Sequence, residues 1–254
     1  MYTKTEIDNL AAKDWAETFK VTPEDFKTCG TIFEERDNLK DSRNLIIWHC
    51  GEKVIFRFDP DLKDQMDRIR NHFPVNFTIT DEYALDFFEA DELGCESFDH
   101  IMILYPDNFK PYLADNFLVR KLDKSDLHYL ESLKESCSEQ DLDDAYIEID
   151  HEIITGVFDN DKLVSVSSVL DWGAFYDVGV LTNPDYRGKG LGKASVTLLV
   201  EEIFRTDKIP LFRCNFNKLG SYGIGKALGF EENRNFVFKQ SSYVFHKKSK
   251  SDNE

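Results

Sequence analysis

A glycine-rich segment between an apolar run and an amphipathic stretch is the feature that most constrains how this chain folds. Residues 178–182 are apolar and partly β-branched, and Asn183-Pro184 follows them as a turn follows a strand. From Lys193 to Phe204, apolar residues recur at the spacing of one helix face, with charged residues left for the other face. The segment between them, residues 184–193, is therefore predicted to join a strand to a helix N-terminus.

Glycines at a helix N-terminus are suited to binding an anion. The unpaired backbone N–H groups and the positive end of the helix dipole attract negative charge, and a residue without Cβ lets a phosphate approach the backbone. Arg187, Lys189 and Lys193 add local positive charge to a chain whose formal net charge is −17. We interpret the segment as a pyrophosphate-binding loop, and the alternative is a glycine-rich turn with solvated cations.

Two common phosphate-binding loops do not fit this segment. A P-loop requires glycine, four residues and then Gly-Lys-Ser/Thr, whereas Gly192-Lys193 is followed by Ala194. A dinucleotide-binding fingerprint requires G-x-G-x-x-G, whereas Gly188, Gly190 and Gly192 are spaced as G-x-G-x-G. A third type of loop is needed to explain the pattern.

The segment resembles the acyl-CoA loop of the GNAT acyltransferase superfamily, whose pattern is Arg/Gln-x-x-Gly-x-Gly/Ala. Arg187, Gly190 and Gly192 match that pattern. The predicted order of elements in the last 140 or so residues is also similar to the GNAT order. Strands are predicted at 117–122, 153–158, 163–170, 175–182, 211–216, 236–238 and 243–245. One helix is predicted to follow the capping residues 123–126, and further helices are predicted at 141–149, 193–204 and 221–228. The expected fold class is α/β (α+β), with a central, mostly antiparallel mixed sheet flanked by helices.

The resemblance implies direct transfer of an acetyl or other acyl group from acetyl-CoA to an amine in a ternary complex, without a metal. In the family, the strand before the loop pairs with the pantetheine arm and the loop binds the pyrophosphate. The cofactor-binding residues implied in this way are Val178, Val180, Leu181, Thr182, Arg187, Gly188, Lys189, Gly190, Leu191, Gly192 and Lys193. Because the thioester is already activated, the protein's task is mainly to orient the amine, stabilise the oxyanion and remove a proton.

A second family pattern, Asn-x-x-Ser before a helix that ends in Gly-Phe, is only partly matched. Ser221 lies eight residues before Gly229-Phe230, as expected, but Asn217 lies four residues before Ser221 instead of three. An extra loop residue would reconcile the spacing, and the resemblance then adds Asn217 and Ser221 to the cofactor-binding residues. The alternative is that Ser221 caps the helix.

The catalytic residues depart from the family pattern. Many relatives have a tyrosine four residues before Gly-Phe, where this chain has Gly225, so Tyr222 is the candidate acid for the departing thiolate, with water as the alternative. Some relatives hold a carboxylate base eleven residues before the loop arginine, where this chain has Tyr176 with Asp177 beside it. Neighbours in a strand point to opposite faces, so Asp177 reaches the cleft only if a bulge shifts the register.

An acidic run bears on the acceptor, which we expect to be a small-molecule amine. Its members, which by resemblance border the acceptor cleft, are Glu139, Asp141, Asp143, Asp144, Glu148 and Asp150. Such a rim favours a cationic amine. The alternative is a solvated helix face, because the chain carries 48 acidic and 31 basic residues.

Three regions are predicted: an N-terminal α/β domain at residues 1–112, a GNAT acyltransferase domain at 113–246 and a disordered tail at 247–254. The N-terminal region has no catalytic or ligand motif. Its predicted elements are a helix at 4–20, a hairpin at 45–58, a helix at 62–69 and a strand at 100–105. A degenerate acyltransferase-like half, a substrate-recognition cap and a module for homodimerisation all remain open for its role.

Composition excludes several classes of function. A net charge of −17 argues against nucleic acid as a partner. No apolar run of about 18 residues and no signal peptide is visible, so no membrane association and a cytoplasmic location are expected. The five cysteines fit reduced thiols, and no His-x-x-His or Cys-x-x-Cys spacing supports a metal. The alternative to an enzyme is a non-catalytic CoA-binding or protein-interaction module.

Overall fold

The computed structural model describes residues 2–88 and 93–246, so the predicted tail at 247–254 lies outside the described residues. The helices are α1 (Lys4–Phe19), α2 (Lys63–His72), α3 (Asp81–Phe87), α4 (Leu127–Glu135), α5 (Glu139–Ala145), α6 (Leu191–Ile203) and α7 (Leu219–Leu228). The strands are β1 (Gly30–Glu35), β2 (Asn44–Cys50), β3 (Lys53–Phe58), β4 (Leu93–Ile103), β5 (Leu118–Lys121), β6 (Ile154–Asp159), β7 (Lys162–Trp172), β8 (Phe175–Thr182), β9 (Ile209–Asn215) and β10 (Val237–Phe245).

The chain forms two compact units that interleave along the sequence. The first unit contains the residues up to Asp14 together with Met102–Cys214 and Lys218–Glu232. The second unit contains Trp15–Ile101, Asn215–Asn217 and the residues from Asn233 onward. The division of the sequence into domains at residue 112 stays a prediction.

The first unit is built around a sheet of strand order β9-β8-β7-β6-β5. β8 and β9 are parallel, and the other neighbouring pairs are antiparallel. Residues of α6 share a buried cluster with Tyr176 and Val178 of β8, whereas residues of α4 and α5 share another cluster with Leu181. Because alternate residues of a strand point to opposite faces, α6 covers one face of the sheet and α4 and α5 cover the other. The predicted fold, a mostly antiparallel mixed sheet flanked by helices, is confirmed.

The apolar periodicity of α6 explains its position. Val196, Leu199, Val200 and Ile203 are completely buried. Burying each of these side chains stabilises the folded state by about 1.5–3 kcal/mol. The helix begins at Leu191, two residues before the predicted start, because Leu191 itself is also buried.

The second unit has a sheet of strand order β1-β3-β2-β10-β4. β1 is parallel to β3, and the other neighbouring pairs are antiparallel. Its core places Met66 and Ile69 of α2 and Ala84 of α3 against Phe56 and Tyr243 of the sheet. The unit is therefore also a mixed sheet covered by helices.

Residues 236–245 fold differently from the prediction. Two short strands at 236–238 and 243–245 were expected, whereas β10 is a single strand at Val237–Phe245. The polar residues between the two apolar runs of three suggested a break. In the structure Lys239 and Ser241 instead contact the buried carboxylate of Asp81, so this polar stretch continues the strand.

Candidate functional site

Strands β8 and β9 of the first unit separate after three residue pairs. Their parallel register covers only Phe175, Tyr176 and Asp177 of β8. On the other side, β8 stays paired with β7 as far as Thr182, which lies opposite Ser165. From residue 178 onward the β9 side of β8 is therefore a strand edge, and such an edge can pair with an extended chain.

The predicted loop lies where expected, between β8 and α6. Gly190 occupies the N-cap position of α6 with φ 80°, in the left-handed region that favours glycine. A Cβ at Gly190 would also lie 2.5 Å from the hydroxyl oxygen of Tyr112. A Cβ at Gly188 would meet no described atom within 4 Å, so the loop is packed on one side and open above Gly188.

Gly192 marks the point where the loop, β8 and α7 meet. A Cβ there would lie 2.9 Å from Cδ1 of Ile224 on α7. The same Cβ would lie 3.3 Å from Oγ1 of Thr182 and 3.4 Å from a methyl carbon of Val180. The structure thus brings together predicted cofactor-binding residues from the strand and the loop, with α7 beside them.

The three loop cations are held by neighbours of the first unit. Arg187 donates from Nε to the carbonyl oxygen of Thr182 at 3.2 Å, and one of its terminal nitrogens lies 3.0 Å from Oδ2 of Asp141 on α5. Lys189 lies over the ring of Tyr186, 4.4 Å from its centroid. In the same way, Lys193 lies 4.2 Å from the ring centroid of Tyr112. The loop and the first turn of α6 therefore carry three cationic side chains with defined neighbours.

Half of the acidic run is already engaged in ion pairs. Asp141 pairs with Arg187, Asp144 with Lys218 at 2.6 Å, and Glu148 with Lys134 at 3.0 Å. Hydrogen bonds from Ser138, together with the Arg187 guanidinium, hold the pKa of Asp141 below its usual value. The exposed members of the run without an ion pair among the described residues are Glu139, Asp143 and Asp150.

The predicted catalytic residues are divided between the two faces of β8. Tyr176 lies in the buried cluster beneath α6, and burial followed by its hydrogen bond to Glu152 raises the pKa of its phenol. Asp177 lies on the opposite face, and its Oδ2 is 3.3 Å from a terminal nitrogen of Arg213. The β7–β8 register runs without a bulge, so the register shift considered for Asp177 does not occur. Tyr222 is half-buried on α7 and packs against the same cluster as Tyr176.

The two residues of the second family pattern, Ser221 and Asn217, belong to different compact units. Helix α7 begins at Leu219, with Lys218 at its N-cap, so Ser221 lies inside the first turn and does not cap the helix. Asn217 belongs to the segment Asn215–Asn217 of the second unit. There its backbone nitrogen donates to Oδ1 of Asn215 at 3.0 Å.

Sequence reasoning missed three residues near β8. Tyr112 packs against Gly190, as described above. Gly179 of β8 faces the carbonyl oxygen of Ala145, where an added Cβ would lie only 2.2 Å away. His151 hydrogen-bonds Ser168 on the neighbouring strand. A glycine inside an apolar strand is the one available signal, because it often marks a close backbone approach.

A cavity of about 310 Å³ lies at the other end of α6. Its lining combines Tyr2, Glu6, Ile7 and Pro106 with the segment 204–210. None of the predicted cofactor-binding residues lines it, so it is separate from the glycine loop.

Residues 2–88 and 93–246 contain neither a metal-ligand cluster nor a membrane-spanning helix. This part of the chain contains no group of three or more His, Cys, Asp or Glu side chains placed to hold a metal ion. No helix in it is long and apolar enough to cross a membrane. The five cysteines are free thiols.

The family follows from comparison with known proteins. The family model for GNAT acetyltransferases matches residues 103–238, which is more than half of the chain. The protein therefore belongs to the GNAT acetyltransferase family, whose acyl donor is acetyl-CoA. A comparison with curated protein sequences finds no match.

Solved structures of the same family have a similar fold at low sequence identity. A GNAT-family acetyltransferase from Colwellia psychrerythraea is 12% identical, with a TM-score of 0.50 over 76% of each chain. A GCN5-related N-acetyltransferase-like protein from Streptococcus suis is 17% identical, with a TM-score of 0.47 over 80% of this chain and 84% of that one. A GCN5-related N-acetyltransferase from Kribbella flavida is 13% identical, with a TM-score of 0.48 over 70% and 67%. At 12% identity, the structure from Colwellia psychrerythraea shows a shared fold only.

Proposed function

We propose that this protein is an N-acetyltransferase that transfers the acetyl group of acetyl-CoA directly to an amine in a ternary complex. The observation that carries the proposal is the separation of β8 from β9 immediately before the glycine loop at the N-terminus of α6. The edge of β8 offers backbone groups to an extended amide chain. The glycine loop offers N–H groups and positive charge to a diphosphate. Acetyl-CoA contains both chemical groups in one molecule.

The residues around the loop fit such a ligand. The edge of β8 from Val178 to Thr182 would pair with the pantetheine amides. The backbone N–H groups of residues 188–193 would bind the pyrophosphate where the loop is open above Gly188. Arg187, Lys189 and Lys193 would supply the opposing charge, and Ser221 on α7 completes the proposed set. Asn217 remains a predicted contact only.

The chemistry then depends on placing a neutral amine against the thioester carbonyl. A backbone N–H of β8 would stabilise the oxyanion, and Tyr222 or water would supply the proton to the departing sulfur. The raised pKa of Tyr176 keeps its phenol protonated at neutral pH, which suits hydrogen bonding to Glu152 better than accepting a proton. Asp177 stays a candidate base without a register shift, because it lies on the face of the sheet that α5 covers and that is proposed for the acceptor, although Arg213 holds its carboxylate.

The acceptor is proposed to be a small amine that carries positive charge. Glu139, Asp143 and Asp150 are exposed, and they have no ion pair among the described side chains. They would attract a cation to the face of the sheet covered by α5. The alternative for the same acetyltransferase activity is an acceptor from a narrower class of amines, or an amine of a macromolecule.

The proposal is tested by following thiol release from acetyl-CoA with purified protein and spermidine, lysine or kanamycin as the amine, with acetyl-CoA binding measured by calorimetry. Turnover with any of these amines would establish the enzyme. Binding of acetyl-CoA without turnover would favour the non-catalytic CoA-binding module. Absence of binding would refute the role of the loop.

Removing the negative charge of Asp141 should strengthen acetyl-CoA binding. Asp141 pairs with Arg187, a residue proposed to bind the cofactor, so the pair competes with the cofactor for Arg187. Exposed ion pairs contribute about 0.2–1 kcal/mol, so Asp141→Asn should tighten binding up to about fivefold by calorimetry. An asparagine side chain can still accept the hydrogen bonds from Ser138 that Asp141 accepts near the start of α5. The substitution should therefore leave α5 intact.

A matched control separates this pair from a general charge effect. Asp143→Asn removes the same charge from an exposed position of α5. It should change affinity less than Asp141→Asn. In an Arg187→Gln background, Asp141→Asn should have no further effect, and an equal gain there would contradict the prediction.

A further inference from the structure

The end of α5 packs directly onto β8 beside the point where β8 leaves β9. Asp177 is the last residue of β8 that pairs with β9, and Gly179 follows two residues later. The carbonyl oxygen of Ala145 lies so close to Gly179 that a Cβ would come within 2.2 Å of it. Any side chain larger than hydrogen would push α5 away, so Gly179 permits the segment after α5 to cover this part of the sheet.

That segment places His151 over the same part of the sheet. Nδ1 of His151 lies 2.8 Å from Oγ of Ser168 on β7. Ser168 is directly opposite Gly179 in the β7–β8 register. Opposite residues of an antiparallel pair have Cα atoms about 4.5–5.5 Å apart and side chains on one face. The imidazole therefore lies one strand away from the edge of β8 proposed to hold the cofactor.

The bond to Ser168 leaves one ring nitrogen for chemistry. In the tautomer in which Nδ1–H donates to Ser168 Oγ, Nε2 carries the lone pair. Within residues 2–88 and 93–246, Nε2 of His151 has no hydrogen-bond partner. The ring is half-buried, and the ring centroid of Tyr146 lies 5.8 Å from its own.

The charged groups around the ring act in both directions. Burial lowers the pKa of His151 below its ordinary value of 6.5. Asp150 and Glu148, from its own segment, act to raise that pKa, and Lys134 of α4 acts to lower it. The net result is a pKa of His151 below its ordinary value. The neutral, proton-accepting form of the imidazole is therefore favoured near pH 7.

We propose that His151 is the proton acceptor for the amine and that Ser168 positions it. This inference depends on the proposed acetyltransferase activity. The amine nitrogen attacks the thioester carbonyl carbon, an N–C bond forms, and the proton leaves the nitrogen for Nε2 of His151. The tetrahedral intermediate then collapses, the C–S bond breaks, and the sulfur of CoA takes a proton from Tyr222 or water. His151 finally releases its proton to solvent.

The position of His151 distinguishes it from the carboxylate candidate. Asp177 lies on the same face of the sheet, but Arg213 holds its carboxylate at 3.3 Å. It also lies at the last pair before the strands separate, whereas His151 is aligned through Ser168 with Gly179 beyond that pair. Of the two groups, His151 is therefore the one aligned with the part of β8 that has already separated from β9.

The test compares His151→Gln with His128→Gln, an exposed histidine on α4 that serves as the matched control. Kinetics are measured with the most active amine among spermidine, lysine and kanamycin. General base catalysis contributes about 10²–10⁴-fold, so His151→Gln should lower kcat at least 100-fold while the Kd for acetyl-CoA stays within twofold. His128→Gln should match the wild type. Ser168→Ala should lower kcat less than His151→Gln and shift the acidic limb of the kcat/KM profile, because it removes only the positioning bond.

A second measurement does not depend on the folding of a variant. The imidazole pKa of His151, followed by NMR in the wild-type protein, should lie below 6.5 and agree with the acidic limb of the kcat/KM profile. Disagreement by more than one pH unit would overturn the proposal. So would wild-type kcat in His151→Gln, or loss of the acidic limb in Asp177→Asn alone. A wild-type protein that acetylates none of the amines refutes the proposed function itself, whereas an active wild type with an equally active His151→Gln refutes only this inference.

Discussion

Replacing Gly190 with valine is expected to weaken acetyl-CoA binding at least 100-fold. The backbone at Gly190 has φ 80°, and a Cβ would lie 2.5 Å from the hydroxyl oxygen of Tyr112. A β-branched residue in this region is strained by about 1–3 kcal/mol, and it also carries methyl groups into the surface proposed to receive a phosphate. The loop of the variant can relax away from this conformation, so binding has to restore it against the strain. A 100-fold loss corresponds to about 2.8 kcal/mol, within reach of this cost and the steric effect of the methyl groups together.

Calorimetric titration with acetyl-CoA measures the effect, and circular dichroism checks that the fold is kept. Gly220→Val is the matched control, because Gly220 is exposed on α7 and a Cβ there meets no described atom within 4 Å. The control should bind acetyl-CoA as the wild type does. Unchanged affinity in Gly190→Val would remove the glycine loop from the proposed function.

Replacing Asp81 with alanine is expected to destabilise the second unit by about 3 kcal/mol. Asp81 is buried at the start of α3 and accepts hydrogen bonds from Lys239 Nζ at 2.7 Å and from the Tyr243 hydroxyl at 2.9 Å. It also contacts Nε2 of His49 and the hydroxyl of Ser241. Without the carboxylate, a largely buried ammonium and several polar groups lose their partner. The loss is at the lower end of the usual range because 21% of the Lys239 side chain is exposed.

Urea unfolding at pH 7 measures this loss of stability. Glu82→Ala is the matched control, because Glu82 is the next residue of α3 and is exposed. Its free energy of unfolding should stay within about 0.5 kcal/mol of the wild type. A similar value for Asp81→Ala would contradict the assigned role of the carboxylate.

The same carboxylate makes stability depend on pH. Although burial alone would raise it, hydrogen bonds and charge from His49 and Lys239 hold the pKa of Asp81 well below its ordinary value of 3.8. The unfolded chain therefore takes up this proton at a higher pH than the folded protein does. The stabilisation is complete above about pH 5 and is lost progressively as pH falls. The free energy of unfolding of Asp81→Ala should fall less steeply than that of the wild type between pH 5 and pH 3.

The parts of the fold that were predicted correctly depend on local chemistry. The predicted strands at 153–158 and 163–170 are apolar runs separated by turn residues, and α6 has one apolar face beside the glycine loop. Turn residues and periodicity can be recognised within a short window of sequence. The continuity of β10 could not be recognised in this way. Ser241 in its polar centre is explained by Asp81, which lies 160 positions earlier in the sequence.

In the candidate site, too, local features were predictable from the sequence and long-range contacts were not. The loop glycines and the loop cations follow one another in sequence, so their clustering was predictable. The pairing of Arg187 with Asp141 and the contact of His151 with Ser168 depend on how α5 packs against the sheet. Gly179 permits that packing, but a single glycine in a strand does not reveal which backbone atom approaches it.

The position of β10 in the second unit sets the order in which that unit can be completed. The strand comes from residues 237–245, yet it lies between β2 and β4, whose residues precede it by more than 130 positions. During synthesis, β2 and β4 leave the ribosome long before the strand that separates them exists. The tertiary structure of this unit therefore forms only after nearly all of the first unit has been synthesised, and the large loop closure makes its assembly the slower event.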